Sequence, residues 1–451
     1  MNTAAEHKYI LEPTAKQAFK LALPIALSIL VPQINFITNN IFLGHLNLDA
    51  LGVAGITGVY YLIFAVMGNG LVNGLQSIIS RRSGANRIHE IGGIYQHGLI
   101  LALVIALSGI IITLIFAAPI LSLTLRDEEH VQMCVSFLKQ RIWGLPLLYL
   151  FQVNNVLLIS TNKSKLILFG SVSETFSNIL FDYCLIFGHF GFAAMGFDGA
   201  AVASVISEGI GASTVIIVII FSGTYKPFQL WQKLQFSFES IRTILNQSLP
   251  LIAQYTISII SWEFFYILIE HHGKLALSVS NVMRNLFGLF GCLTWGFASA
   301  SNTMVSNLIG QGKQDKVLPL VKLLIKLSLG VTGIFVLLLN LAPGILMRAY
   351  GQDETFIAAA IPVARIISVG LLIMSVGTVL MNAVVGTGNS KFNLLTELLA
   401  ISIYVIYVYV VLEVFNLNII IGWMSEWLYW TCLLLPSLWY MRSMRWKGKV
   451  F

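Results

Sequence analysis

Residues 226 positions apart agree along almost the whole chain, and this repeat limits the fold more than any other feature of the sequence. Pro24 matches Pro250, Val53 matches Val279, Phe64 matches Phe290 and Gly70 matches Gly296. The series continues through Ser80 and Ser306, Gly84 and Gly310, Gly144 and Gly370, Thr161 and Thr387, Ser164 and Ser390, Lys165 and Lys391, and Gly196 and Gly422. Whatever one half folds into, the other must fold into as well. Each half holds six long apolar runs, an even number, so both halves enter a membrane in the same direction. The expected relation is therefore a parallel repeat about an axis along the membrane normal, with a ligand site at the repeat interface.

The runs themselves decide the class of fold. The chain is 57% hydrophobic and 10% charged, with a mean hydropathy of +0.82. A water-soluble chain of this length could not bury so much apolar surface. The expectation is an all-α integral membrane protein with helices over about 17–43, 51–79, 92–120, 132–159, 164–188, 196–221, 241–269, 275–308, 317–346, 356–385, 392–414 and 418–440. The domains expected are an N-lobe over 1–221, a cytoplasmic linker over 222–240 and a C-lobe over 241–451. Phe, Leu and Trp in the linker suggest a surface-lying helix. The polar N-terminus lacks the pattern of a cleaved signal peptide, so the first run is expected to stay as an anchor.

Basic residues set the orientation. Of 27 lysines and arginines, eighteen lie at one set of helix ends. The opposite ends hold Arg126, Lys274 and Arg348. This bias places both termini in the cytoplasm. The net charge of +7 is thus a topology signal and not a nucleic-acid footprint. Cys134, Cys184, Cys292 and Cys432 sit in apolar runs without metal-type spacing and are expected as core residues. There is no GxxxxGK[ST] phosphate loop and no H-E-x-x-H cluster, so neither nucleotide hydrolysis nor zinc catalysis is expected. No cofactor is expected, and an ion gradient is the expected energy source.

Charged and amide side chains inside apolar runs are the candidate sites. Glu263 lies six residues before Ile269 in the run from Pro250 to Gly273, roughly 9 Å from that end of a helix. A carboxylate there costs about 2.5–3.5 kcal/mol to insert, so it faces a cavity or a partner. It either binds substrate or protons, or joins helices through a salt bridge. Trp262, Phe264, Phe265 and Tyr266 surround it, an arrangement that suits a flat organic cation or ordinary packing. Arg284, three residues after Asn281, either neutralises an acid or contacts substrate. In the fifth run Glu174, Asn178 and Asp182 share one helix face by their spacing of four. Asn35 and Asn39 lie in the first run, Asn69, Asn73 and Gln76 in the second, Asn154 and Asn155 in the fourth and Glu208 in the sixth. Such stripes can collect oxygens around a hard cation, relay protons to a carboxylate, or bond helices together.

Taken in order, several segments resemble the multidrug and toxic compound extrusion family over essentially the whole chain. They are Leu23-Pro24 and Phe42-Leu43-Gly44-His45-Leu46 at the ends of the first helix, and Ser80 to Gly84-Ala85 after the second. They continue with Thr161-Asn162-Lys163, Asn178-Ile179-Leu180-Phe181-Asp182 to Phe187-Gly188, and Gly196 through Ser204. The resemblance implies a V-shaped, two-lobe monomer of twelve transmembrane helices in the plasma (inner) membrane. It implies export of small organic cations in exchange for protons or sodium, with membrane lipid as surroundings and no nucleic-acid partner. Asp182 and Asn178 match the family's N-lobe cation site, the place for any sodium ion. Asn35, Asn39, Glu174 and Asn154 would support it. Glu263 resembles the helix-seven acid of some branches, with Trp262, Tyr266, Arg284 and Asn281 lining a substrate cavity. Asn39 and Ser375 stand where other members have aspartates, which shifts the expected coupling from sodium at Asp182 toward protons at Glu263. The related lipid-linked oligosaccharide flippases are the alternative, but they need basic cavities for pyrophosphate.

Overall fold

The computed structural model describes residues 9–448 apart from 47, 126, 233–234, 342 and 349–353. Lys8, Arg126, Lys233 and Lys449, four of the charges bearing on orientation, lie outside the described residues. Among the described residues the architecture is all-helical, and each expected run is a long helix. They are α1 (Ala15–Leu46), α2 (Leu48–Gly84), α3 (Ile88–Thr124), α4 (Glu128–Ser160), α5 (Ile167–Phe187) and α6 (Phe197–Phe221). The second half supplies α7 (Phe238–Glu270), α8 (Lys274–Gly310), α9 (Val317–Leu341), α10 (Glu354–Gly386), α11 (Ser390–Val414) and α12 (Ile419–Arg442). Ten of the helices among the described residues are long and apolar enough to cross a membrane. The other two, α5 and α8, fall short because they carry polar residues, Glu174, Asn178 and Asp182 in one and Asn281, Arg284 and Asn302 in the other.

One helix, α3, presents large apolar side chains outward and small ones inward, the reverse of a helix in a water-soluble bundle. On α3, Leu103, Leu107, Ile111 and Ile115 are exposed at four-residue spacing, while Ala102, Ala106, Gly109 and Ala117 are buried. Small residues on the packed face let backbones approach closely, which is how helices associate where lipid supplies no hydrophobic drive.

The repeat is visible in the backbone itself. Asn86 (φ 58°) and Gly312 (φ 74°), Asn162 (φ 62°) and Gly388 (φ 87°), and Phe190 (φ 56°) and Asn416 (φ 46°) are three left-handed pairs at the same offset. The first two pairs follow α2, α8, α4 and α10, where a left-handed residue ends a helix and glycine or asparagine is favoured.

The chain packs as two compact units, each with its own interior. One comprises Met1–Ala26, Gly84–Asn86 and Ala253–Phe451, and the other Leu27–Ser83 and Arg87–Ile252. Thus α1 belongs to the first unit up to Ala26 and to the second from Leu27, while α7 belongs to the second up to Ile252 and to the first from Ala253. The two changeovers are repeat equivalents, and each follows its proline, Pro24 or Pro250, by two residues. Matched glycines make room for the exchanged segments. A side chain at Gly70 would come within 2.5 Å of the Ile252 backbone, and one at Gly296 within 2.6 Å of the Ala22 carbonyl.

The connection at 222–240 is fastened to the second unit. It forms a short helix, Tyr225–Phe228, with Phe228 and Leu230 buried and Trp231 exposed. Gln96 of α3 donates to the carbonyls of Leu230 at 3.0 Å and Gln232 at 2.9 Å, and His97 accepts from the Ser237 N–H at 3.0 Å. In the first unit Leu11 is buried and its N–H donates to Asn307 of α8 at 3.0 Å.

Candidate functional site

In the second unit, α5 turns its polar face inward as its spacing requires. Asp182 and Asn178 are fully buried and Glu174 is half-buried. With the Asn178 amide turned so that its nitrogen faces the acid, as its hydrogen-bond partners require, it donates to Asp182 at 3.0 Å and to the Asn35 side-chain oxygen of α1 at 2.5 Å, and its own oxygen accepts from the Ser204 N–H of α6 at 3.3 Å. Three helices thus converge on one acid through neutral groups. The second oxygen of Asp182, Oδ1, has no hydrogen-bond partner among the described residues, and neither has Asn39 Oδ1 or Glu174 Oε2. A buried carboxylate oxygen without a donor is costly unless it holds a proton or a cation. A proton on Asp182 Oδ1 satisfies that oxygen, while Asn178 turns its N–H and not its oxygen toward the acid.

A second acid in the same unit is already neutralised. Glu208 of α6 takes both guanidinium nitrogens of Arg141 of α4, at 2.6 and 2.9 Å, and accepts from the Tyr61 hydroxyl at 3.1 Å. The guanidinium also stacks 3.7 Å from the Tyr61 ring centroid. Gly144, at the 3-10 turn that interrupts α4, leaves the space: a side chain there would fall within 2.1 Å of the Glu208 carboxylate. This is a helix-joining pair. Asn154 is a joint of the same kind, since it accepts from Tyr95 of α3 at 2.7 Å and donates to the Leu150 carbonyl at 2.7 Å.

In the first unit, Glu263 is bound to Arg284 of α8 at 2.9 Å. The Arg284 guanidinium lies 4.7 Å from the Trp262 ring centroid and 5.0 Å from that of Tyr266. The aromatic and acidic setting expected to receive an organic cation therefore holds a cation of the chain itself. Asn281 is exposed on α8 and Tyr266 is buried, its hydroxyl donating to the Ser280 carbonyl at 3.2 Å. Ser375 is buried on α10 and donates back to the Leu372 carbonyl at 2.7 Å.

Two buried acids went unremarked in the sequence. Glu397 of α11 is 1% exposed and accepts from Gln254 at 3.1 Å, Ser258 at 2.5 Å and Tyr429 at 2.5 Å. Glu426 of α12 is also buried and accepts from the Trp430 indole at 3.0 Å. The signal was available, because an acid inside an apolar run is the criterion that selected Glu263. Glu397 shares its helix face with Asn393, four residues earlier, a pair passed over in the sequence, whereas Glu426 has no such polar neighbour in α12. No group of three or more His, Cys, Asp or Glu side chains arranged to hold a metal occurs among the described residues.

Comparison with known proteins bears on the family and the fold. The MatE family model matches residues 24–184 and 250–410, two segments at the offset of the repeat. The chain is 23% identical to a probable multidrug resistance protein NorM of Thermotoga maritima over 91% of its own length and 88% of that protein's. It is 28% identical to a NorM of Halalkalibacterium halodurans over 53% of each chain. The matched region spans about half the length of this relative and of a Synechocystis NorM, 53% and 49% respectively. Among solved structures, a MOP superfamily transporter from Pyrococcus furiosus superposes with a TM-score of 0.89 at 18% identity over the whole of both chains. An outward-facing multidrug resistance MATE transporter gives 0.87 at 18% identity over 98% of each. At this identity the superpositions establish the helical-bundle fold.

Proposed function

The chain belongs to the MatE family, and on that premise we propose that it is a secondary antiporter exporting cationic or amphipathic organic compounds in exchange for protons or sodium. In this reading all twelve helices cross the plasma membrane with both termini cytoplasmic, and lobes over 1–221 and 241–451 alternate access as a monomer. The observation that carries the coupling is Asp182: a buried acid with no ion-pair partner among the described residues, held by Asn178 and, through it, Asn35, with one oxygen free to take a proton or a sodium ion. Burial of an acid favours its neutral form, so a proton and a cation compete for one carboxylate. Exclusive occupancy makes the exchange. Asn178 positions the acid, and Glu174 stands on the same face of α5, with Asn39 of α1 as a further supporting polar group.

The Arg284 ion pair moves the weight of the coupling from Glu263 to Asp182. Glu263 and Arg284, with Trp262 and Tyr266, are then a wall of the substrate path whose charge is balanced. The flippase reading draws no support from the arginines Arg141 and Arg284, since Glu208 and Glu263 occupy them and leave no charge for a pyrophosphate. The test is flux into proteoliposomes carrying a pH-sensitive dye, with ethidium added with and without sodium. Ethidium-driven proton movement is expected in the wild type and lost in Asp182→Asn. Movement that persists in Asp182→Asn and disappears in Glu263→Gln returns the coupling to α7. A response that requires sodium identifies sodium as the coupling ion.

A further inference from the structure

Glu397 is buried more completely than Glu263, yet no lysine, arginine or histidine among the described residues pairs with it. Its ligands are three uncharged groups from two neighbouring helices: Gln254 and Ser258 of α7 and Tyr429 of α12. All of them belong to one compact unit. Other titratable groups nearby are Tyr404 on its own helix, whose ring lies 5.6 Å from that of Tyr429, and Glu426 one turn before Tyr429. On α7, Gln254 and Ser258 do not titrate, and Glu263 is taken by Arg284. On α10, Arg365 is exposed.

Counting protons shows what this arrangement can do. Ser258 Oγ lies 2.5 Å from Glu397 Oε1 and 3.0 Å from the Gln254 carbonyl of its own helix. A serine has one hydroxyl proton and cannot donate to both. With Glu397 ionised, Ser258, Tyr429 and Gln254 all donate to it, and the Gln254 carbonyl loses the serine. With Glu397 protonated, its own O–H donates to Ser258, and Ser258 returns its proton to the Gln254 carbonyl. Tyr429 and Gln254 still donate. Every donor at the carboxyl keeps an acceptor in both states, and one hydroxyl rotation separates them.

We propose that Glu397, with Gln254, Ser258 and Tyr429, is a proton-binding site distinct from Asp182, and that binding or release of its proton switches the Ser258 bond to the α7 backbone. Serine bonds to the carbonyl four residues back bend helices. The bond affected lies one turn beyond Ala253, where α7 passes from one unit to the other, and beside Pro250. Protonation at Glu397 therefore acts on the part of α7 that an alternating-access cycle would have to move. Proton binding here is independent of the antiporter reading, and only its role in transport rests on that reading.

The test is the pH-difference infrared spectrum of the purified chain in nanodiscs, with no substrate present. A protonated-carboxyl band that appears on acidification is expected in the wild type and in Asp182→Asn, and its Glu397 component is expected to vanish in Glu397→Gln. In Tyr429→Phe the midpoint of that component is expected to move by about one pH unit, the tenfold change that loss of one charge-assisted hydrogen bond produces. A spectrum unchanged by Glu397→Gln overturns the proposal. Should that variant not fold, an unmoved midpoint in Tyr429→Phe overturns it equally. Flux that survives Asp182→Asn would defeat the coupling reading while leaving this titration untouched.

Discussion

Glu208, a candidate site in the sequence, forms with Arg141 a structural pair in the fold. Both lie in apolar surroundings, both are nearly buried, and each satisfies the other at 2.6 Å with Tyr61 closing the set. Removing one partner leaves an uncompensated buried charge, which costs about 3–5 kcal/mol, whereas removing both can be close to neutral. Glu208→Gln is therefore expected to lower the thermal midpoint of the purified protein sharply, and Arg141→Met with Glu208→Leu to recover most of it; equal losses would show the pair does not act as one. Glu263→Gln exposes Arg284 in the same way but in a half-exposed setting. Its expected effect is weaker ethidium binding with the proton stoichiometry of transport intact. None of these pairings was legible from spacing. Glu263 and Arg284 lie on different helices, and periodicity describes one helix at a time.

At the scale of elements, the repeat becomes a pair of helix crossings. Gly70 and Gly296 sit on α2 and α8 where the first halves of α7 and α1 come closest, and in each case the neighbour is backbone, which cannot rotate aside. Gly70→Val and Gly296→Val are each expected to destabilise by about 1–3 kcal/mol or more through overpacking. Gly55, with nothing within 4 Å, is the control: Gly55→Ala is expected to leave the thermal midpoint unchanged or raise it. The left-handed pair Asn162 and Gly388 gives a second element-scale test. Gly388→Asn should be tolerated because its repeat partner already holds that conformation as asparagine. Gly388→Val should cost about 1–2 kcal/mol. The helices themselves were legible, because twelve apolar runs bounded by Gly, Asn and charge admit little else. The changeovers at Ala26 and Ile252 were not, since a changeover is set by which backbone a glycine lets approach, and that information lies in the other half of the chain.

For the whole molecule, the match of the MatE family model to both repeats makes this a transporter of that family, and the remaining question is where the ion acts. The α5 stripe was readable from its spacing of four, and its convergence with Asn35 and Ser204 follows once α1 and α6 pack against it. The weight we give it over Glu263 rests on Arg284 reaching Glu263, a contact between two helices that spacing within one helix does not show. The account holds that proton and substrate exclude one another at Asp182. Its most direct test is the number of protons released when ethidium binds the purified protein in weakly buffered solution. About one proton per ethidium is expected from the wild type, and none from Asp182→Asn, which should still bind the dye. Release of the same proton from Asp182→Asn would contradict the account.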